Sequence, residues 1–161
     1  MQGSERLIVY MDPTIIISII SITVSVIAFV HSIYLQHYLS RKKATIEAFN
    51  TLQNEVLDKL VFDEKGNAEL IVTNLHNQDC VKAYNDYRTL VARLEHFAIG
   101  VNQRIYSFRV VKTLAGTHLI SLFQKVKPII DKSNEHFPEN HNYREFTRLV
   151  ERLKTERKKK K

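Results

Sequence analysis

Thr14–Leu35 reads TIIISIISITVSVIAFVHSIYL, 22 residues with no Lys, Arg, Asp or Glu and with His31 as the one ionisable side chain. A hydrocarbon layer about 30 Å thick needs roughly 20 apolar residues at 1.5 Å each, so this run is long enough to cross with slight tilt. Its Ser and Thr hydroxyls can bond back to helix carbonyls and do not disqualify it. Asp12 is a good N-cap, and Pro13 follows at the first helical position, where a missing N–H costs nothing. The pattern predicts a short segment over residues 1–13 and a transmembrane helix over residues 14–38.

A secretory signal peptide would want a basic leader, a shorter apolar core and a small-x-small cleavage site. Here Glu5, Arg6 and Asp12 precede the run, and it ends in Tyr34, Leu35, Gln36, His37 and Tyr38. The run therefore reads as an uncleaved anchor. A buried helix of a soluble protein is the other competitor, but such helices seldom run this long without an acid or a base. Arg41, Lys42 and Lys43 lie just past the span, so the positive-inside rule puts that side in the cytoplasm and the N-terminus outside. Tyr34 and Tyr38 fall where interfacial aromatics sit. Met11 is an alternative start codon that would leave this topology unchanged.

The chain has 161 residues, room for one domain after the span rather than two. A single cysteine, Cys80, rules out an intramolecular disulfide and agrees with a reducing compartment. No Trp, four Gly and three Pro argue against a turn-rich β-sandwich or barrel. The formal net charge of +7 is unevenly placed. Residues 152–161 (RLKTERKKKK) carry seven Lys or Arg and one Glu, so the basicity belongs to a tail.

Beyond the basic triplet, Ile46, Phe49, Leu52, Val56 and Leu60 recur at helical spacing. No Gly or Pro falls between Pro13 and Gly66, so the anchor either runs unbroken into this helix or breaks near Ser40. Residues 63–67 (DEKGN) read as a turn, and 68–75 as a turn of helix or an ordered loop. The strongest soluble helix covers 79–100, with a stripe from Cys80 through Ala83, Tyr87, Leu90, Leu94 and Phe97 to Val101. Gly100 is its C-terminal cap or a close-packing point inside it. Asn102 then caps a shorter helix with Ile105, Phe108, Val111 and Leu114 inward, ended by Gly116. Thr117 caps the next, with Leu119, Phe123, Val126 and Ile130 inward and a kink or opening at Pro128. Residues 133–142 (SNEHFPENHN) read as a loop. Tyr143, Phe146, Leu149, Val150 and Leu153 make a final amphipathic helix. The fold class is all-α: an anchor helix, a four- to five-helix bundle over 44–153, and a basic tail over 154–161.

The ATIEAFN start after the basic triplet, the central LEHFAIGVNQRIYSF and the later VKPIIDK together resemble a bacterial family of uncharacterised proteins. Leu94, Glu95, Phe97, Ala98, Gly100, Val101, Asn102 and Pro128–Ile130 carry the resemblance. It implies one N-terminal membrane helix and a small cytoplasmic helical domain over nearly the whole chain. It transfers no activity and no functional residue.

Glu95, between Leu94 and Phe97, is the carboxylate most suited to a raised pKa and acid–base work. An ion pair with Arg88, Arg93 or Arg104 at the bundle edge is the plainer reading. The histidines form no His-x-x-x-His, Glu-x-x-His or His-Glu-x-x-His spacing. His136 and His141 share a polar stretch with Glu135 and Glu139, read as solvated rather than metal-binding. His31, inside the span, is a functional candidate by position. Ser18, Ser21 and Ser25 form a small polar ridge, passive or helix-contacting. Cys80 reads as apolar filling rather than a nucleophile. No phosphate loop, nucleophile elbow or zinc-type cysteine pair is present, so no catalytic residue, metal or cofactor is assigned.

The expected lipid contacts are Arg41, Lys42, Lys43, Arg157, Lys158, Lys159, Lys160 and Lys161, opposite anionic headgroups. Nucleic acid is the weaker partner for the tail, because no aromatic residues interleave the lysines. The sequence thus points to a single-pass inner-membrane protein whose cytoplasmic bundle interacts with the bilayer, with itself or with another membrane protein. A membrane-tethered enzyme around Glu95 stands as the alternative.

Overall fold

Asp12 opens the first helix as its side chain suggests. The Thr14 N–H donates to its Oδ1 at 2.9 Å, and its carbonyl accepts from Ile15 and Ile16. The same bond holds the Asp12 carboxyl below the usual carboxylate range. The computed structural model describes residues 12–61, 67–136 and 142–159, which are helices and short connections with no strand among them. In order they are α1 (Pro13–Leu52), a π-helical turn (Gln53–Leu57), α2 (Asp58–Val61), α3 (Asn67–Thr73), α4 (Gln78–Asn102), α5 (Phe108–His136) and α6 (Arg144–Lys158). The backbone of α1 stays helical through Ser40. By packing, the chain divides into two units, Met1–Ser40 and Arg41–Lys161.

In the first unit every described residue is exposed. Ile17, Ile22 and Phe29 leave about two-thirds of their surfaces uncovered, at 64%, 66% and 67%. The hydroxyls of Ser18, Thr23 and Ser25 donate to the carbonyls of Thr14, Ile19 and Ser21, each at 2.8 Å. A polar group satisfied inside its own helix asks nothing of its surroundings, which is what hydrocarbon demands. The helix is long and apolar enough to cross a membrane.

The second unit is a helical bundle with one core. Phe49, Leu52, Val56 and Leu60 enter it from the first helical stretch, and Val91, Leu94 and Val101 from α4. Val111, Leu119 and Ile129 of α5 and Phe146, Leu149 and Val150 of α6 complete it. Ring contacts tie the helices together: Phe123 meets Phe146 edge-on at 5.5 Å, and Phe97 sits 6.3 Å from Phe49. At the π turn the Asp58 N–H reaches back to the Gln53 carbonyl. That wider turn lets Leu52 and Leu60, eight positions apart, both face the core.

Residues 68–73 are helical within α3, the helical of the two readings open for that stretch. Several other details differ from the sequence reading. The position facing the core beside Phe49 is Thr45, fully buried, while Ile46 is exposed. Thr45 can go inside because both hydroxyl roles are filled: it donates to the Arg41 carbonyl at 2.6 Å and accepts the Ser107 N–H at 2.7 Å. The two helices expected between Asn102 and Ile130 are the single helix α5, which begins only at Phe108 and passes through Gly116 and Pro128. Gly116 is buried where a Cβ would stand 3.6 Å from Leu153, so it serves helix packing rather than helix ending. Ile105 and Leu114, expected inward, are 56% and 51% exposed. Ser133–His136 belong to α5, so the polar stretch starts later than read. The rest of that stretch through His141, residues 63–66 of the turn expected over 63–67, and Lys160 and Lys161 lie outside the described residues, while Asn67 is the first residue of α3.

Candidate functional site

Helix α6 starts without a cap of its own. Tyr143 leads into it in the left-handed region (φ 65°) and offers no side-chain acceptor to the first amides. Four N–H groups at a helix start need partners from elsewhere. Glu95, half-buried on α4, supplies them: its two carboxylate oxygens accept the Glu145 N–H at 2.9 Å and the Phe146 N–H at 2.6 Å. A carboxylate there also meets the positive end of the helix dipole. Asn102 adds a second clamp, donating from Nδ2 to the Glu145 carbonyl at 2.9 Å and its Oε2 at 2.8 Å. Glu95 thus joins α4 to α6 through backbone amides, where the sequence suggested an arginine.

Gly100 lies inside the last turns of α4. A Cβ built on it would stand 2.4 Å from Cε2 of Tyr106, closer than any real contact. The missing side chain lets Tyr106 fold back over the helix end and stack on Phe97 at 5.5 Å, with its N–H on the Gly100 carbonyl at 2.9 Å. The left-handed residue that closes the helix is Arg104 (φ 64°), not the glycine. Its N–H returns to the Val101 carbonyl at 3.2 Å.

That turn is where separate parts of the chain gather. Arg41, the first residue of the second unit, reaches the Tyr106 carbonyl from Nη2 at 3.4 Å, and Thr45 holds Ser107. The Arg152 guanidinium of α6 lies 3.8 Å over the Phe108 ring, a cation–π contact. One turn further along α5, Lys112 pairs with Glu156 at 2.8 Å, and Lys159 reaches the same carboxylate at 3.5 Å. Lys112 and its neighbours hold the Glu156 carboxyl below its ordinary value, the hydrogen bond from Lys112 first. Lys112, Gly116, Thr117, Ile120, Leu153 and Arg157 line a hollow of about 150 Å³. Arg41 and Arg152, more than a hundred positions apart in sequence, therefore both contact the chain at the entry to α5, one at the Tyr106 carbonyl and the other at the Phe108 ring.

Lys43 is exposed beside Glu47 at 3.8 Å, and Arg41 and Lys42 are half-buried. Arg157, Lys158 and Lys159 are exposed. Arg109 and Lys112, near the start of α5, were not singled out by sequence reasoning, Arg104 entered it only as a partner for Glu95, and Arg152 only as the start of the basic run. Arg104, Arg109 and Lys112 stand in no run of charge, so composition did not mark them. His31 is exposed on α1. His136 is exposed, its Nδ1 3.0 Å from the Lys132 carbonyl, and Cys80 is half-buried. No three His, Cys, Asp or Glu among the described residues are grouped to hold a metal. Elsewhere, a cleft of about 340 Å³ lies beside the π turn, floored by Phe97 and Tyr106 and edged by His96 and the Glu55–Arg93 ion pair.

What this geometry offers chemically is a set of exposed cations, Arg104, Arg109, Arg152, Arg157, Lys158 and Lys159, with the Glu156 carboxylate paired among them. A family model described as "Domain of unknown function (DUF4760)" matches residues 15–153, spanning α1 to Leu153 in α6. No curated protein and no solved structure matches the chain.

Proposed function

We propose that this chain, which belongs to the DUF4760 family, is a single-pass protein of the inner membrane that presents a helical interaction domain to the cytoplasm, its basic end held against anionic lipid. The observation that carries this reading is that Arg41, from the basic triplet, and Arg152, from the basic run, both contact the chain at the entry to α5. Arg41 follows Ser40 in the chain, so covalent connection alone keeps this cluster near the end of the apolar helix. The excess of Lys and Arg after the span favours the cytoplasmic side. Each such residue near an anionic leaflet is worth about 1 kcal/mol, so several of them at one end of the bundle add up a weak attraction. A tethered enzyme working through Glu95 is less well supported, because both carboxylate oxygens are committed to the start of α6. Self-association or a second membrane protein remains the natural use of the faces not turned to lipid.

Hydrogen exchange of the full chain in nanodiscs tests the reading. Phosphatidylglycerol, compared with phosphatidylcholine, is expected to slow exchange over residues 103–112 and 152–159, and added salt should reverse the effect. Equal exchange in the two lipids would reject a lipid-facing role for this end.

A further inference from the structure

The sequence pattern sends Ile105 inward, yet it is 56% exposed at the tip of the α4–α5 turn. A lone apolar residue on a surface is ordinary, and Leu70 on α3 is 64% exposed. What sets Ile105 apart is how it is held and what surrounds it. Arg104 takes a left-handed conformation that a side chain rarely adopts, and Tyr106 is pinned to Gly100 and Phe97 on the other side. Between these two fixed points the chain has one direction left for Ile105, which is outward. The neighbours are cationic: Arg104 and Arg109 are exposed, and Arg41 is bonded to the next carbonyl. An apolar tip ringed by Arg is the composition that partitions into the headgroup boundary of an anionic bilayer.

We propose that the α4–α5 turn is a membrane-inserting tip, with Ile105 entering the headgroup–acyl boundary of the anionic leaflet while Arg104 and Arg109 engage lipid phosphates. This rests on the lipid-facing reading above and adds depth to it: contact through charge alone would leave Ile105 in water. The occupant is a lipid surface rather than a protein groove because the turn adjoins Arg41, a few residues past the apolar helix, and the charged groups on it, Arg104 and Arg109, are both cationic.

The chain contains no Trp, so one introduced indole reports alone. Full-length Ile105→Trp and Leu70→Trp would be reconstituted in phosphatidylglycerol vesicles containing lipids brominated along their chains. Leu70 is the control, because α3 leads into the start of α4 and the tip follows its end, along a helix of 25 residues, about 37 Å long. The expected result is emission shifted to shorter wavelength and several-fold stronger quenching for Ile105→Trp than for Leu70→Trp, reduced in phosphatidylcholine. Should Ile105→Trp behave like Leu70→Trp while residues 103–112 remain protected by phosphatidylglycerol, insertion is wrong and headgroup contact stands. Loss of both signals removes insertion and the lipid-facing reading together. Ile105→Asp gives an independent check that needs no fluorophore: insertion requires a several-fold loss of phosphatidylglycerol-dependent protection in the turn. Unchanged protection in that variant overturns it.

Discussion

The same residue types meet opposite fates in the two units of this chain. Ile, Val and Phe lie bare along α1 up to Ser40, whereas beyond Arg41 most residues of these types are buried against neighbouring helices. Polar groups differ in the matching way. In the first unit the hydroxyls of Ser18, Thr23 and Ser25 are satisfied within one turn of their own helix, as a helix without neighbours requires. Exposed threonines of the second unit, Thr51, Thr89 and Thr113 among them, bond in the same local way. What the second unit adds is remote satisfaction: Thr45 and Glu95 bond across tens of residues and thereby fix which helix packs on which.

This contrast breaks most readily in the first unit. Ile22→Arg combined with Val26→Arg places two charges mid-span, each costing about 2.5–3.5 kcal/mol at a membrane centre. Carbonate extraction should then release most of the protein, with the helical signal of the domain intact. Leu149→Ala is the reverse experiment. Leu149 is fully buried, and its truncation should cost the domain about 2–5 kcal/mol in thermal or denaturant unfolding while leaving membrane retention unchanged. If either variant moved both readouts, the two units would not be held by separate forces.

Glu95→Ala leaves two amides at the start of α6 without their acceptor and should cost about 2–3 kcal/mol, with faster exchange confined first to α6. Glu95→Gln keeps an acceptor oxygen but loses the charge, so about half that loss is expected. Gly100→Ala sets two effects against each other. The backbone gains about 1 kcal/mol of helix preference, and the new methyl collides with Tyr106, so a net loss of about 1–2 kcal/mol and a loosened α4–α5 turn are expected.

The smallest effect belongs to Glu156. Its folded value lies below the ordinary 4.5, so its pairing with Lys112 contributes stability that is fully present above that ordinary value and lost as pH falls through the lower folded one. Melting followed from pH 6 to pH 3 should show a slightly shallower acid decline for Glu156→Gln than for the parent chain. The same variant removes an acid from the basic end, so its exchange protection by phosphatidylglycerol should rise.

Much of the architecture was legible because it is written locally. The charge-free run, the Asp12 start, the stripe of α4 and the apolar face of α6 follow from periodicity and capping alone. What escaped depended on distant partners. Gly116 and Thr117 look like the stop and start of two helices, but α5 runs through both, with Gly116 buried inside it. Thr45 looks too polar for the core until Ser107 arrives to share its hydroxyl. Of the candidate surface, the two charge runs were visible, while the contacts of Arg41 and Arg152 at the entry to α5 exist only after folding.

The π turn at Gln53–Leu57 carries a consequence for changes in chain length. A residue removed from an ordinary helix rotates everything on one side of it by about 100° relative to the other. Inside the π turn the spare residue is already absorbed, so that Leu52 and Leu60 line up although eight positions separate them. Deleting Asn54 should therefore relax the turn into plain α-helix and keep both leucines inside. Deleting Asn50, one turn earlier, would swing Thr45 and Arg41 away from the α4–α5 turn. Tolerance to deletion in this helix is thus concentrated in five residues, and a single-codon deletion scan along it should show one narrow permissive window.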